Sequence, residues 1–168
     1  MQKFITLVNG NHKLVDGGVT TSAGSTDSGK LPALDNSGRL DVSVMPVGIG
    51  ADTKAIATSE TLPAGCFVNI YDNFGSFAVR KADATTIGKE AHGFVLSAFT
   101  HPTTATVYFE GNNTAVSGAT PGNIFLGTTA GGFTVTPPSA TGNIVQKIGV
   151  STGATSINCE FAEPIELA

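Results

Sequence analysis

Short apolar runs alternate with turn-forming residues throughout positions 59–168. The runs are rich in β-branched and aromatic side chains, and the segments between them contain Gly, Pro, Asn or Ser. Because this combination is typical of short strands joined by turns, we expect a β-barrel or a β-sandwich. No stretch keeps a helical period, although 83–90 can hold one helical turn. The predicted strands are 67–71, 77–80, 93–96, 106–110, 124–126, 133–136, 144–150 and 157–161.

The apolar positions of these strands predict the interior of the domain. Aromatic residues are frequent in its first half and could instead form a stacking platform for nucleic acid. Their nearby basic partners are only Arg80, Lys81 and Lys89, so core packing is the better interpretation. These aromatic residues are Phe67, Tyr71, Phe74, Phe77, Phe94 and Phe99. The residues expected inside are Phe67, Ile70, Val79, Phe94, Val107, Phe109, Ile124, Phe125, Ile144 and Ile148.

Positions 1–58 have a different pattern. Asn9-Gly10 separates two apolar stretches, and this dipeptide supplies the positive φ angles of a tight turn, which predicts a small hairpin. Two strands alone are barely stable and need a surface to pack against. The small, polar stretch 17–29 predicts a flexible linker. Segment 29–41 then predicts a short strand, a turn and a second short piece, which Pro46, Gly48 and Gly50 close.

Positions 1–58 have too little apolar content for a core of their own, so we expect this region to bind something larger. The sequence therefore predicts a mainly β protein with two parts. An extended N-terminal arm with a small hairpin (1–58) precedes a compact β-barrel or β-sandwich domain (59–168).

Composition narrows the function classes. Only 13% of the 168 residues are charged and the net charge is −4, whereas about 25% is usual. An acidic chain gains no counterion-release energy on nucleic acid, so we expect no nucleic-acid partner. The 40% hydrophobic content argues against general disorder. No apolar run is long enough for a membrane helix and no signal peptide is evident, so we expect a soluble protein without a membrane partner.

Candidate chemistry is sparse. The three histidines, His12, His92 and His101, lie in separate segments without metal-ligand spacing, and no serine has a nucleophile-elbow motif around it. Gly48–Asp52 is too weak a match to a phosphate loop, and the oxygen donors at 35–41 fit an Asx turn better than a calcium loop. We therefore expect no enzyme, and no catalytic, cofactor or metal site.

The two cysteines, Cys66 and Cys159, each lie in an apolar run. Buried, reduced thiols are the favoured interpretation because a secreted disulfide scaffold has a denser pattern. A bridge between the two stays open, since sequence does not establish the Cα separation that it needs.

Two stretches, which together cover roughly 29–161, have recognisable motifs. The first comprises Gly29-Lys30, Ala33-Leu34-Asp35, Gly38, Leu40-Asp41, Ser43 and Pro46. The second comprises 79–84, 91–95, Pro121 to Gly127, Gly131-Gly132, Pro137-Pro138 and 144–149. Together they resemble structural proteins of tailed-bacteriophage virions, and the second is similar to a β-rich module that recurs in head-decoration, head-fibre and tail-fibre proteins. The resemblance implies a virion component, most often a homotrimer, without catalytic residues.

Within that family, a capsid decoration (cement) protein fits the chain best. The chain has no repeats of the kind that build a long fibre shaft. We expect it to be made in the host bacterial cytoplasm and to bind the capsid surface, with the major capsid protein and its own copies as partners. Several weak arm contacts would add up through high effective concentration. The expected contact residues are Leu31, Leu34, Leu40, Val42, Val44, Met45 and Val47.

Other interpretations remain open. The arm can fold back onto its own β-domain. A tail, neck or fibre-adaptor protein is the second choice for function. A carbohydrate-binding module, with an exposed Tyr71 or Tyr108 that stacks on a sugar, is the third. The absence of Trp weakens it, because Trp offers the largest stacking surface.

Overall fold

A computed structural model describes residues 3–16, 18–45 and 50–168. The chain divides into two compact units, Met1–Gly50 and Ala51–Ala168, here called the N-terminal unit and the C-terminal unit. This division lies eight residues before the boundary expected at 58. The reason is that Thr53–Thr58 forms a strand of the β-barrel in the C-terminal unit.

The N-terminal unit contains two small pairs of strands. Its first four strands are β1 (Lys3–Val8), β2 (Asn11–Asp16), β3 (Gly18–Val19) and β4 (Leu31–Pro32). Strands β1 and β2 form an antiparallel hairpin, and β3 pairs with β4 in parallel. Asn9 and Gly10 have φ angles of 52° and 80° at the hairpin turn, as a two-residue turn with a right-handed twist requires.

Two short 3-10 helices, Gly24–Asp27 and Val42–Val44, complete the described part of this unit. The first lies in the stretch whose composition predicts a flexible linker. Its Asp27 side chain bonds the backbone N–H of Ala23 and the ammonium of Lys30, so polar side chains supply local contacts there. The turn expected at Pro46 and Gly48 lies outside the described residues, as does Val47.

Strands account for most of the regular structure of the C-terminal unit, and sequence predicted a mainly β chain correctly. Its strands are β5 (Thr53–Thr58), β6 (Phe67–Asn73), β7 (Ser76–Lys81), β8 (Gly93–Phe94), β9 (Thr104–Tyr108), β10 (Gly111–Asn113), β11 (Gly122–Leu126), β12 (Phe133–Thr134), β13 (Ile144–Val145), β14 (Lys147–Gly153), β15 (Ser156–Cys159) and β16 (Ile165–Glu166).

Five of these strands close a barrel in the order β5-β7-β6-β8-β9, so of the two predicted architectures, β-barrel and β-sandwich, the structure has the barrel. Strands β5 and β7 are parallel, and the other neighbours are antiparallel. Closure leaves these strands without an open edge. The buried residues that pack inside are Ile56, Leu62, Cys66, Val68, Val79, Val95, Ala105 and Val107.

A second layer is a five-stranded antiparallel sheet in the order β10-β15-β14-β11-β12. Its core is built around Phe67, whose ring meets the rings of Phe133 and Phe161 edge to face at 6.4 Å. Edge-to-face pairs of this kind add stability beyond the buried area. The other large buried members are Phe94, Ile124, Leu126, Ile148 and Ile157.

Several expectations for this unit differ from the structure. Residues 83–90 form turns rather than a helical turn, and within them the Asp83 carboxylate accepts bonds from the N–H and hydroxyl of Thr85. Most of the expected interior is buried, but Ile70, Phe109 and Phe125 are only half-buried. Phe74 and Phe77 were expected in the core and are exposed.

Candidate functional site

The expected contact residues of the N-terminal unit are largely exposed. Val42 is 71% exposed and Leu34 is 59% exposed, and Val44 is half-buried. Val47 is not among the described residues. Leu31, Leu40 and Met45 are exposed as well. Apolar side chains of this size are costly to leave in water as a group, so their exposure marks a candidate contact surface.

Two aspartates shape the backbone that carries these side chains. Oδ1 of Asp35 accepts bonds from the N–H groups of Ser37 (2.8 Å) and Arg39 (2.9 Å), and this Asx turn places Leu34 and Leu40 on its two sides. The turn was predicted from the sequence. Within the described ranges, no group of three or more His, Cys, Asp and Glu is arranged to hold a metal ion.

Asp41 performs the same task for the 3-10 helix that follows. Its Oδ1 accepts bonds from the hydroxyl (2.6 Å) and the N–H (2.9 Å) of Ser43, and these bonds lower the pKa of Asp41. The Ser43 hydroxyl in turn accepts a bond from the N–H of Ser22 at 2.8 Å. This link connects two distant segments of the N-terminal unit and fixes the helix that presents Val42.

The β1–β2 hairpin carries a further apolar surface that sequence reasoning did not name. Ile5 and Leu14 are cross-strand partners, and Leu7 lies on the same side of the hairpin. All three side chains are exposed. Side chains alternate between the two faces of a strand, so the predicted hairpin itself places Ile5 and Leu7 on one side, and this was the signal that could have found the face.

Charge is distributed unevenly between the two units. The N-terminal unit has four basic and four acidic side chains, whereas the C-terminal unit has five basic and nine acidic ones. The whole negative excess therefore belongs to the C-terminal unit. The apolar surface of the N-terminal unit has no net charge to repel an acidic or a basic partner.

The most exposed aromatic side chains of the C-terminal unit lie at the end of the β6–β7 hairpin. Phe74 is fully exposed (101%) and Phe77 is 82% exposed. Phe74 and Gly75 form the turn, with φ angles of 53° and 82°, and Oδ1 of Asp72 accepts the N–H of Gly75 at 2.8 Å. Sequence reasoning missed this site because the apolar spacing of the hairpin is that of buried strands.

A cavity of about 580 Å³ lies elsewhere in the C-terminal unit. Its aromatic walls are Phe109 and Phe161. The buried side chain of Gln146, also in the lining, accepts a hydrogen bond from the N–H of Ala91 and donates to the carbonyl oxygens of Ala91 and Ala162. The acidic residues that line it are Glu90, Glu110, Glu160 and Glu163.

His92 also lines this cavity, and its ring already accepts a backbone hydrogen bond. The N–H of Ile70 donates to Nδ1 of His92 at 3.0 Å, so the neutral ring carries its proton on Nε2, 3.6 Å from a carboxylate oxygen of Glu90. His101 lies apart from it, with Nδ1 2.8 Å from the carbonyl oxygen of Thr58. The two histidines therefore have different partners, and His101 is not among the residues that line this cavity.

The tyrosines are not open sugar platforms. The guanidinium of Arg80 lies 4.2 Å from the ring centre of Tyr71 and covers that face. The ring of Tyr108 stacks on Phe94 at 5.4 Å, against the core. Both tyrosines are half-buried, so the expectation of an exposed Tyr71 or Tyr108 was wrong.

The cysteines are separate buried thiols. Cys66 and Cys159 are both free in the structure, as favoured from the sequence. Burial raises the pKa of each thiol from 9.0 to about 12. At neutral pH both therefore keep their protons and are poor nucleophiles.

A search for apolar helices long enough to span a membrane finds none among the described residues. Comparison of the chain with protein-family models, with curated proteins and with solved structures yields no match in any of the three.

Proposed function

We propose that the protein is a bacteriophage capsid decoration (cement) protein that binds the outer surface of the assembled head through its N-terminal unit. The observation that carries the proposal is the exposed apolar group around Leu34 and Val42. It coincides with the stretch, 29–46, whose residues resemble an element of phage particle proteins.

Burial energies explain why such a surface favours a multivalent partner. Full burial of one Leu, Val or Met side chain contributes about 1.5–3 kcal/mol, and these side chains are roughly half exposed before binding. Association costs roughly 4–15 kcal/mol in lost freedom. A single N-terminal unit would therefore bind weakly, whereas several units in one oligomer would bind together through high effective concentration.

The charge distribution supports a contact of apolar character. Since the N-terminal unit has as many basic as acidic side chains, its binding should depend only weakly on salt. A protein that binds the finished shell and not its free subunits stabilises the shell by mass action. Decorated heads should therefore withstand heat or low salt better than bare heads.

Binding to heads of the phage that encodes the chain tests the proposal. We expect the wild type to co-sediment with expanded empty heads, and Leu34→Ser/Val42→Ser to bind at least about tenfold more weakly. Ile87→Ser is the matched control, because Ile87 is 61% exposed but belongs to the C-terminal unit.

Two results would overturn the proposal. One is a wild type that binds no form of the head. The other is a Leu34→Ser/Val42→Ser variant that binds as tightly as the wild type. Immunogold labelling that finds the protein only at the tail vertex of the particle would instead support a tail, neck or fibre-adaptor protein.

A further inference from the structure

We propose that His92 is a pH-dependent switch between strand β6 and the segment that precedes β8. In its neutral form the ring holds the backbone of β6, and in its protonated form it turns away into the glutamate-lined cavity beside it. This inference goes beyond the capsid contact proposed above, because every residue that it uses belongs to the C-terminal unit. It can be tested on the purified protein without any phage particle.

The imidazole of His92 takes the place of a backbone acceptor where the pairing of β6 with β8 ends. The two strands pair at Val68 and Gly93, and the N–H of His92 donates to the carbonyl oxygen of Val68 at 2.8 Å. The next N–H of β6 on this side is that of Ile70, which donates to Nδ1 of His92 at 3.0 Å. The side chain therefore adds one more bond to this edge of β6.

Two N–H donors face Nδ1 of His92. Besides the N–H of Ile70, the side-chain nitrogen of Asn69 lies 3.5 Å from it. The orientation of that amide is fixed, because its oxygen accepts from Nε of Arg80 at 2.9 Å and its nitrogen donates to the carbonyl oxygen of Glu90 at 2.8 Å. A proton on Nδ1 would therefore face two donors and abolish the bond from Ile70.

The cavity beside the ring suits the protonated form. His92 is part of the lining of this cavity of about 580 Å³, so the ring has free volume next to it. The described residues of the lining include four glutamates and no Lys or Arg. A carboxylate oxygen of Glu90 already lies 3.6 Å from Nε2. An imidazolium that turns into the cavity therefore exchanges two N–H donors for carboxylates that attract it.

Charged groups reach His92 from several elements. On β7, Arg80 donates to the side chain of Asn69, which lies beside Nδ1. This cation disfavours an imidazolium at the edge of β6, whereas the glutamates favour one in the cavity. The further glutamates of the lining are Glu110, which follows β9, and Glu160 and Glu163, which follow β15.

His101 is an internal control because its hydrogen bond has the opposite direction. Nδ1 of His101 lies 2.8 Å from the carbonyl oxygen of Thr58. A carbonyl oxygen only accepts, so Nδ1 of His101 carries a proton in the neutral ring and a second proton goes to Nε2. Protonation therefore leaves the bond of His101 intact, whereas it breaks the bond of His92.

NMR of the wild type between about pH 8 and about pH 5 tests the switch, because histidines titrate in this range. The nitrogen chemical shifts of the imidazole report protonation of His92. The protection factor of the Ile70 amide, which corrects for the intrinsic pH dependence of exchange, reports the bond. We expect it to fall at least about tenfold as His92 gains its proton. The Leu62 amide, which donates to the carbonyl oxygen of Phe99 at 2.9 Å, should keep its protection.

Two histidine variants separate this response from a general effect of acid. His92→Asn places an amide oxygen near the position of Nδ1 and does not titrate, so the protection of Ile70 should become independent of pH. His101→Asn is the matched control and should leave the response of Ile70 as it is in the wild type.

A change in the cavity tests where the protonated ring goes. Glu160→Gln/Glu163→Gln removes two carboxylates from the lining, so the loss of Ile70 protection should shift to lower pH. Glu166→Gln is the matched control, because Glu166 is exposed and is not part of the lining, and it should shift the loss less.

Four results would overturn the proposal. One is a His92 ring that stays neutral down to about pH 5. The second is a ring that gains its proton while Ile70 keeps its protection, and the third is a response that persists in His92→Asn. The fourth is a loss of protection at Leu62 together with Ile70, which would mean acid unfolding of the barrel.

Equal shifts in Glu160→Gln/Glu163→Gln and Glu166→Gln would contradict the cavity as the destination of the ring. A failure to bind phage heads would leave all these measurements unaffected.

Discussion

Phe67, Leu62 and Ile124 of the C-terminal unit are fully buried, whereas Leu34 and Val42 of the N-terminal unit lie largely in water. The C-terminal unit contains a closed barrel and a second sheet, and its buried apolar residues pack against one another in two clusters. In the part of the N-terminal unit that the structure describes, the two-stranded pairs, short 3-10 helices and turns enclose no interior. Similar residues therefore stabilise a fold in one unit and remain available for a partner in the other.

The largest difference between the two units is expected when a core aromatic ring is truncated and the loss of unfolding free energy is compared. We expect Phe67→Ala to cost about 3–5 kcal/mol of unfolding free energy, because its ring is fully buried against Phe133 and Phe161. Leu34→Ala in the N-terminal unit should change it by less than about 0.5 kcal/mol. Urea unfolding of both variants measures the difference, and equal losses would contradict the contrast.

A smaller loss of unfolding free energy is expected when a methyl group is added at a tightly packed glycine of the barrel. A methyl group at Gly93 would lie 2.6 Å from the carbonyl oxygen of Tyr108 and 2.7 Å from Cγ1 of Val107. We expect Gly93→Ala to cost about 1–3 kcal/mol. Gly153→Ala is the matched control because its nearest neighbour, Cβ of Ser156, is 3.8 Å away. Thermal unfolding that ranks the two variants in the opposite order would refute this packing.

The thiols provide a pH test of the C-terminal unit alone. Burial raises the pKa of Cys66 and Cys159 from 9.0 to about 12. The folded state therefore holds these protons more firmly than the unfolded state. Their contribution to stability is complete below pH 9 and is lost as the pH rises from 9 toward 12. Chemical denaturation across this range should show the decline, and Cys66→Ala/Cys159→Ala should reduce it.

The smallest effect should be local to the N-terminal unit. Asp41→Ala removes both bonds to Ser43, so amide exchange at Ser43 should accelerate while the unfolding of the C-terminal unit stays unchanged. Because these bonds lower the pKa of Asp41, acidification below its ordinary value of 3.8 should have the same local effect in the wild type. Unchanged exchange at Ser43 would mean that the bonds do not hold this turn.

Much of the β-architecture could be predicted from the sequence because local signals carry it. Phe67, Val79 and Phe94 belong to short apolar runs between turns, and all three are buried. The strand Thr53–Thr58 was missed because only two of its residues are buried, and just one of them, Ile56, is a large apolar side chain while the other is Thr58. Its identity depends on pairing with β7 and β9, which a local pattern does not contain.

The candidate sites were less predictable for a related reason. Phe77 has the spacing of a core residue, but the hairpin continues past the barrel and leaves it exposed. Tyr71 is a residue type that can stack on a sugar, but the guanidinium of Arg80 covers its ring. In both residues the outcome depends on how far neighbouring strands extend, which is a property of the tertiary structure.

Hydrogen exchange of the wild type, free and bound to expanded heads, tests the central contrast most directly. If the N-terminal unit makes the contact, segment 31–45 should gain strong protection on the head. The barrel strands β5, β6 and β9 should exchange at the same rates in both states. Protection gained only in the C-terminal unit, with 31–45 unchanged, would contradict the account.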